Sequence, residues 1–435
     1  MSPRNWRVGV AGLGTVGAGL LTFLSERPGF APAGGQVTVS GVSARSRSRP
    51  RPFDISGLRW FDDPVALAQS DEVDLFVELI GGSDGPAKAA VEAALKAGKP
   101  VVTANKALIA EHGAELAALA EAAGVPLLFE AAVMGGTPAV KMVREAMVGD
   151  DVRSISGILN GTCNFILSEM EQGGRAFEDV LAEAQRLGYA EADPTMDVGG
   201  FDAAHKITIL AALAFNCAPD FAACEVEGVD QVELLDIRMA KDLGYRIKLI
   251  ASAERSDEGV SVRVHPSLVP LAHPLAQAGG ALNALFIEGQ RLGRIFIQGA
   301  GAGAAPTAAA VAADIADVMT QAVRPVFQRP ATELAAFTPV DRSRSLVRAY
   351  LRLLVKDEPG VIAAVSETLA EAGVSIESFL QKPVEDAEGV PIVLTTHSVS
   401  EAVLAQAVER IAGHPAVIKA PRLMRIAPDM RLPGD

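Results

Sequence analysis

The stretch WRVGVAGLGTVGAGLLTFL, residues 6–24, admits few folds. A short apolar run meets three glycines, Gly12, Gly14 and Gly17, and passes into a helical pattern. At a strand-to-helix junction the first glycine permits the tight turn. The second lets the backbone approach a pyrophosphate, and the third lets the helix pack on the strand. Free N–H groups at the start of such a helix carry a partial positive charge that suits phosphates. Gly12, Leu13, Gly14, Thr15, Val16 and Gly17 therefore form a candidate dinucleotide cradle.

The next apolar run, QVTVSGVSAR (36–45), bears on which dinucleotide. An acid at the end of this strand takes the ribose 2′-hydroxyl of NAD, whereas an arginine accommodates the 2′-phosphate of NADP. The run ends on Arg45, followed by Arg47, Arg49 and Arg51, with no acid among them. NADP(H) is favoured, with NAD(H) possible and a solvated basic loop the alternative. The first sixty residues carry a formal charge of +6 in a chain of net charge −14. A basic patch inside an acidic protein fits a small anionic ligand, and the overall sign argues against nucleic acid or an anionic membrane as partner.

The parallel-sheet pattern continues with VDLFVELIGG (73–82), a helical stretch at 85–98, and strand, turn and long helix over 99–124. A further strand is expected at VPLLFEAAV (125–133). Strands alternating with helices mean a doubly wound α/β domain, here over 1–134 and completed by about 305–330. Thr103, Asn105 and Lys106 fall at the end of one strand, where ligands of such sheets sit. Three cysteines without CxxC spacing argue against a disulfide scaffold or a zinc site, and fit the cytoplasm. No apolar run is long enough to cross a membrane.

Residues 135–304 read as a second, α+β unit. ISGILNGTCNFILSEM (155–170) is strand, polar turn and helix. Cys163 there invites a thiol-nucleophile reading, although nothing nearby in sequence activates it. GYAEADPTMDVGGFDAAHKITILAALAF (188–215) starts as an acidic loop and becomes a helix near Phe201. Asp202 and Lys206 stand at i and i+4, so they share a face. The apolar segment after Lys206 places that lysine where a helix enters a core, paired or with its pKa lowered. Either state suits proton exchange with a hydroxyl or carbonyl oxygen.

GLGTVG, VVTANKALIA, FEAAVMGGTPAV, ILNGTCNFIL and GYAEADPTMDVGGFDAAHK together resemble homoserine dehydrogenase over essentially the whole chain. The resemblance implies reversible nicotinamide-dependent interconversion of L-homoserine and L-aspartate 4-semialdehyde, in threonine, isoleucine and methionine biosynthesis. It implies that Lys206 donates the proton, with Asp202 and Lys106 also catalytic. Glu191 would bind the substrate's amino group, with Asp197 and Asp202 shaping the pocket. Thr103, Lys106, Gly188, Gly301 and Gly303 would join the glycine loop and Arg45 around the cofactor. Glu130, Val133, Gly135 and Thr137 match a structural monovalent-cation site, for sodium or potassium. Cys163 departs from the threonine more usual in the family.

After a linker at 328–348, residues 349–426 read as strand, helix, strand, strand, helix, strand. This βαββαβ, ferredoxin-like pattern resembles an ACT domain. The resemblance implies feedback regulation, with L-threonine a candidate effector near Asp357, Pro359 and Gly360. It also implies a homodimer or homotetramer, and a module joined to the catalytic unit only by its linker. Two other classes stand beside the dehydrogenase: a thiol-dependent aldehyde dehydrogenase using Cys163, and a non-catalytic sensor of an amino acid and a nucleotide.

Overall fold

The computed structural model describes residues 5–27, 30, 35–320, 323–381 and 389–428. The ends of the chain, parts of the segment before residue 35, and 382–388 inside the C-terminal module lie outside the described residues. Six strands make the first sheet: β1 (Asn5–Ala11), β2 (Gln36–Ser43), β3 (Arg59–Phe61), β4 (Leu75–Glu78), β5 (Val101–Thr103) and β6 (Leu127–Leu128). They run parallel in the order β3-β2-β1-β4-β5-β6, the Rossmann arrangement. Strands β4 and β5 are buried along their whole length, as a parallel sheet covered on both faces demands. The strand order reverses between β1 and β4, so the binding crevice opens beyond their carboxyl ends.

One covering helix comes from far along the chain. Ala304–Thr320 packs against Thr15–Glu26, and Ala308, Val311 and Ile315 share a core with Val8, Leu20 and Val77. The fit is close at Gly19, where an added Cβ would lie 2.5 Å from the Ala304 carbonyl oxygen. The run 125–133 yields only the two-residue β6, not a full strand. At Glu130 the main-chain N–H donates to the Asp314 carboxylate at 2.8 Å instead of to a neighbouring strand. The chain then turns into the short helix Ala131–Met134.

The second sheet joins β7 (Val152–Ile158), β8 (Glu225–Val226), β9 (Tyr245–Ser256), β10 (Gly259–Pro270), β11 (Leu282–Gly289) and β12 (Arg294–Ala300). Alternation along β9 sends Ile247, Leu249, Ala251 and Ala253 into the core under the helix Phe201–Phe215. That helix is buried from Asp202 to Leu213, lying between the sheet and the helix Lys106–Ala123 of the first domain. Fully burying each large apolar side chain contributes ~1.5–3 kcal/mol, so its position is rigidly set. The two charged residues it carries into the interior are held with it.

The C-terminal βαββαβ unit comprises β13 (Leu346–Val355), β14 (Ile376–Gln381), β15 (Val390–Thr396), the short β16 (Val399–Ser400) and β17 (Val417–Ile426). Its helices are Val361–Glu371 and Glu401–Ala412. The expectation that it hangs on a linker needs correction. Strand β17 pairs in parallel with β10, through Ser267 with Arg425 and Leu268 with Ile426, so both units share one sheet. The segment 328–345 is strapped down as well: Ala218 N–H donates to the Ala335 oxygen at 2.9 Å, and Val260 N–H to Thr338 at 2.8 Å.

A buried ion pair locks the junction. Asp236, fully buried, accepts from Arg352 Nε at 2.6 Å and from the Tyr350 hydroxyl at 3.0 Å. Breaking such a pair by removing one partner costs ~3–5 kcal/mol. Arg352→Met should therefore lower unfolding free energy by that amount in a urea titration. A loss under ~1 kcal/mol, the usual worth of an exposed pair, would show the junction to be loose. A chain ended at Arg344 strips Asp236 of both partners, so it should be destabilised rather than left intact.

Candidate active site

The three glycines of the first turn are required for three different reasons. Gly12 sits at φ +101°, and a Cβ there would lie 2.2 Å from the Leu79 oxygen. A Cβ on Gly17 would lie 2.0 Å from the Gly12 oxygen. A Cβ on Gly14 would meet nothing within 4 Å. The protein itself demands the first and third, whereas the second guards open space at the mouth of a helix. Thr15 is exposed beside it, Val16 half-buried and Leu13 buried.

Beside that turn stands a carboxylate that the sequence reading overlooked. Glu78 ends β4 fully buried, and its carboxylate accepts from Ile80 N–H at 2.6 Å and Gly81 N–H at 3.0 Å. The Thr103 hydroxyl donates to its other oxygen at 2.5 Å and accepts from Asn105 N–H at 3.0 Å. Burial holds the Glu78 carboxyl above its usual range. Thr103 is therefore a support for the loop, its hydroxyl already spent between two neighbours. Asn105 caps the next helix by accepting from Leu108 N–H and ties it to the Gly82 oxygen at 2.7 Å. An acid closing an apolar strand just before two glycines was the available clue.

Lys106 opens that capped helix and reaches into the second domain, 3.1 Å from Asp202 Oδ1. Lys206, one turn along from Asp202, donates to Asp202 Oδ2 at 2.7 Å and to the Leu159 oxygen at 2.7 Å. An ammonium has three hydrogens, so one is left for a third acceptor. Burial works to raise the Asp202 carboxyl, but Lys206 and Lys106 outweigh it and hold it well below the usual carboxylate range. The Asp202 charge in turn raises Lys106, against the pull of burial. Both groups remain charged at neutral pH.

Asn160 ties the remaining acid to this cluster. Its amide donates to Asp197 at 2.7 Å and to Asp202 at 2.9 Å, while its oxygen accepts from Cys163 N–H at 2.7 Å as a helix cap. Burial raises the Asp197 carboxyl, the Asn160 hydrogen bond opposing it. Cys163 is fully buried, and its thiol donates to the Asp197 carbonyl oxygen at 3.1 Å. Burial and the nearby acids push that thiol well up. A thiol so placed yields no thiolate, which removes the thiol-dependent reading. His205, next to Lys206, turns away to stack on Phe221 at 4.2 Å.

The other expected residues surround this centre. Glu191 is exposed on the rim of the loop, close enough for its charge to raise Lys106. Gly188 closes the helix Phe177–Leu187 at φ +78°, and Gly303 sits at φ +120° in the loop before Ala304. Gly301 leaves room for Asn283, whose side chain would lie 2.1 Å from a Cβ. Arg45 is exposed beyond β2 and has no partner among the described residues. Glu130 is buried, and its carboxylate accepts from Val140 N–H at 3.0 Å and Lys141 N–H at 2.7 Å. Burial and Asp314 push it up to about 7, and burial pushes Asp314 up to about 6. Val133, Gly135 and Thr137 form the tight turn alongside.

Comparison with known proteins gives this arrangement a family. Residues 138–316 match the family model described as homoserine dehydrogenase, and 12–130 match its NAD-binding domain. Residues 349–415 match the ACT domain. A homoserine dehydrogenase from Neisseria gonorrhoeae is 42% identical over 98% of this chain and 99% of that protein. The chain belongs to the homoserine dehydrogenase family. The crystal structure of a homoserine dehydrogenase from Thiobacillus denitrificans covers 98% of this chain and 99% of that one, at 40% identity and a TM-score of 0.91. A hyperthermophilic archaeal homoserine dehydrogenase in complex with NADPH covers 72% and 97%, at 26% identity and a TM-score of 0.63. As a member of this family the chain is a nicotinamide-dependent oxidoreductase of amino-acid biosynthesis, and no helix among the described residues is long and apolar enough to cross a membrane.

In this homoserine dehydrogenase framework Asn160 separates two jobs, capping a helix and organising two carboxylates. Asn160→Asp keeps an N-cap of equal quality but replaces the donor with a third negative charge. Activity should fall ~10–100-fold, since charge-assisted hydrogen bonds contribute ~1.5–3 kcal/mol each. Without that donor Asp197 titrates higher still, so the acidic limb of the kcat/KM profile should move to higher pH. An unchanged profile would reduce Asn160 to a helix cap.

Proposed function

We propose that this chain interconverts L-homoserine and L-aspartate 4-semialdehyde reversibly, with NADP(H) favoured over NAD(H). The observation that carries the reading is the buried Asp202 carboxylate held between Lys106 and Lys206. A bound nicotinamide supplies or takes the hydride at the substrate carbon. Asp202 and the Leu159 oxygen fix the Lys206 ammonium so that its remaining N–H faces the reacting oxygen. In the reductive direction that N–H gives its proton to the carbonyl oxygen as the alcohol forms. In the oxidative direction the neutral amine takes it back from the hydroxyl. Lys106 stays cationic and keeps Asp202 ionised, which keeps Lys206 oriented. Glu191 receives the substrate's ammonium at the rim, with Asp197 beside it. A non-catalytic sensor has no use for a buried carboxylate between two lysines.

The cofactor residues fit a dinucleotide on one structural ground: the space a Gly14 Cβ would fill lies open at a helix N-terminus. Gly12 to Gly17 would hold the pyrophosphate, and Arg45 the 2′-phosphate. Gly188, Gly301 and Gly303 would close around the cofactor from the second domain. Glu130 with the main-chain oxygens of Val133, Gly135 and Thr137 would hold a sodium or potassium ion. Each Glu130 oxygen accepts one N–H, and a carboxylate oxygen has a second lone pair to offer. Feedback through the ACT module, and assembly as a homodimer or homotetramer, belong to the same reading.

Lys206→Ala should lower kcat for semialdehyde reduction by ~10²–10⁴-fold and leave NADPH binding unchanged by fluorescence titration. Near-normal turnover would remove Lys206 from the mechanism.

Arg45→Ala should raise KM for NADPH by ~10-fold or more, the value of a charge-assisted contact, and barely change that for NADH. Equal changes for both would assign the arginine to solvent.

An acid whose folded pKa exceeds its unfolded value binds more protons when folded. Stability from Glu130 therefore falls as pH rises from ~4.3 toward about 7. A cation on Glu130 offsets that loss, so sodium or potassium should raise Tm more at pH 8 than at pH 5, relative to tetramethylammonium. An equal effect at both would take the ion away from Glu130.

A further inference from the structure

The face of β7, β9 and β10 turned away from the helices is polar. Register places Ser156, Ser252 and Arg263 in one row across it, and Ser154, Glu254 and Ser261 in the next. The ACT module roofs this face and leaves a cavity of about 380 Å³ between them. That is within the ~300–1,000 Å³ of small-molecule sites.

The charges on its wall do not balance. Glu401, at the start of the module's second helix, receives Arg263 from the catalytic sheet and Arg425 from β17. Arg425 binds it with two N–H groups, at 3.1 and 3.2 Å. Two guanidiniums share one carboxylate, and Arg263 is buried. His265 lines the cavity next to them and adds no negative charge; burial and Arg425 push it down to about 3, so it is neutral. The other charged linings are Arg255, Arg348 and Glu254. Arg348 is already answered by Glu377 at 2.6 Å, and Arg255 and Glu254 are exposed at the rim. Among the described residues one positive charge is left facing the cavity, and a half-buried charge calls for a counter-ion.

We propose that this cavity binds a free α-amino acid, its carboxylate on the Arg263–Arg425 pair and its ammonium toward Glu254. Glu254 lies one diagonal step from Arg263 across β9 and β10, about 7–8 Å between backbones. Ile250 and Leu275 give the floor an apolar patch for the side chain, and the serines offer hydroxyls. The site lies at the opposite end of β13 from Asp357, Pro359 and Gly360, because Leu346 and Val347 line it. An occupant bridges the catalytic sheet and the module, so it favours whichever arrangement of the two seats it.

The test uses the full-length chain and isothermal titration with glycine, L-threonine, L-methionine, acetate and sulfate in turn. At least one amino acid should bind saturably, one per chain. Arg425→Gln leaves Arg263 and Glu401 matched one to one, so the fold keeps its charge balance. It should weaken that binding ~10–100-fold, the worth of a charge-assisted hydrogen bond. Ser252→Phe fills the cavity beside Arg263 without changing any charged residue and should abolish it. Lys206→Ala should bind as the parent does. Loss of binding in that variant would move the ligand to the catalytic cleft and overturn the proposal. So would binding by sulfate alone, no binding at all, or binding indifferent to both cavity changes. A chain inactive toward homoserine that still binds through Arg425 sinks only the catalytic reading.

Discussion

The geometry of the site hangs on one buried carboxylate. Asp202 has a lysine from each domain on its two oxygens, so the same ion cluster joins the domains and orients the Lys206 ammonium. The desolvation it suffers is large, and the two cations, helped by the Asn160 amide, outweigh it and keep the carboxyl ionised. Loss of Lys106 therefore removes the contact between domains as well as a counter-charge, whereas loss of Lys206 acts within the second domain. The rest of the interior keeps those three groups in register. Asn105 fixes where the Lys106 helix begins, the sheet fixes the Phe201–Phe215 helix, and Asn160 fixes Asp202 against Asp197.

Around that cluster the protein spends its polar side chains on its own backbone. Glu78 and Thr103 hold the turn after β4, and Glu130 and Asp314 hold the turn after β6. Glu78, Glu130 and Asp314 are buried acids answered by main-chain N–H groups. Such groups are costly if left alone and rigid once satisfied, which is what loops at the end of a sheet need. The crevice is therefore shaped before any ligand arrives, and the space beside Gly14 lies open.

Local sequence carried much of this and missed the rest for identifiable reasons. The glycine turn and the Asp202–Lys206 pair were legible because each lies within one turn of chain. The βαββαβ module was legible from its alternating pattern. Asn160 was visible only as a polar turn, since the acids it serves lie 37 and 42 residues away. The run 125–133 looked like a strand because its apolar residues are buried in any case; Asp314, 184 residues on, is what bends it. The union of β17 with β10 was invisible, because edge strands carry no local sign of the neighbour they will choose.

The helix Ala304–Thr320 has a consequence for how the chain is made. It completes the layer against Thr15–Glu26, yet it leaves the ribosome long after β6 has been synthesised. At ~5–20 residues per second the nucleotide-binding sheet waits roughly ten to forty seconds with Leu20 and its neighbours uncovered. During that interval the nascent chain presents a bare apolar face while the whole second domain is being translated. Chaperone occupancy should therefore peak on ribosomes stalled before residue 304 and fall once the missing layer has emerged.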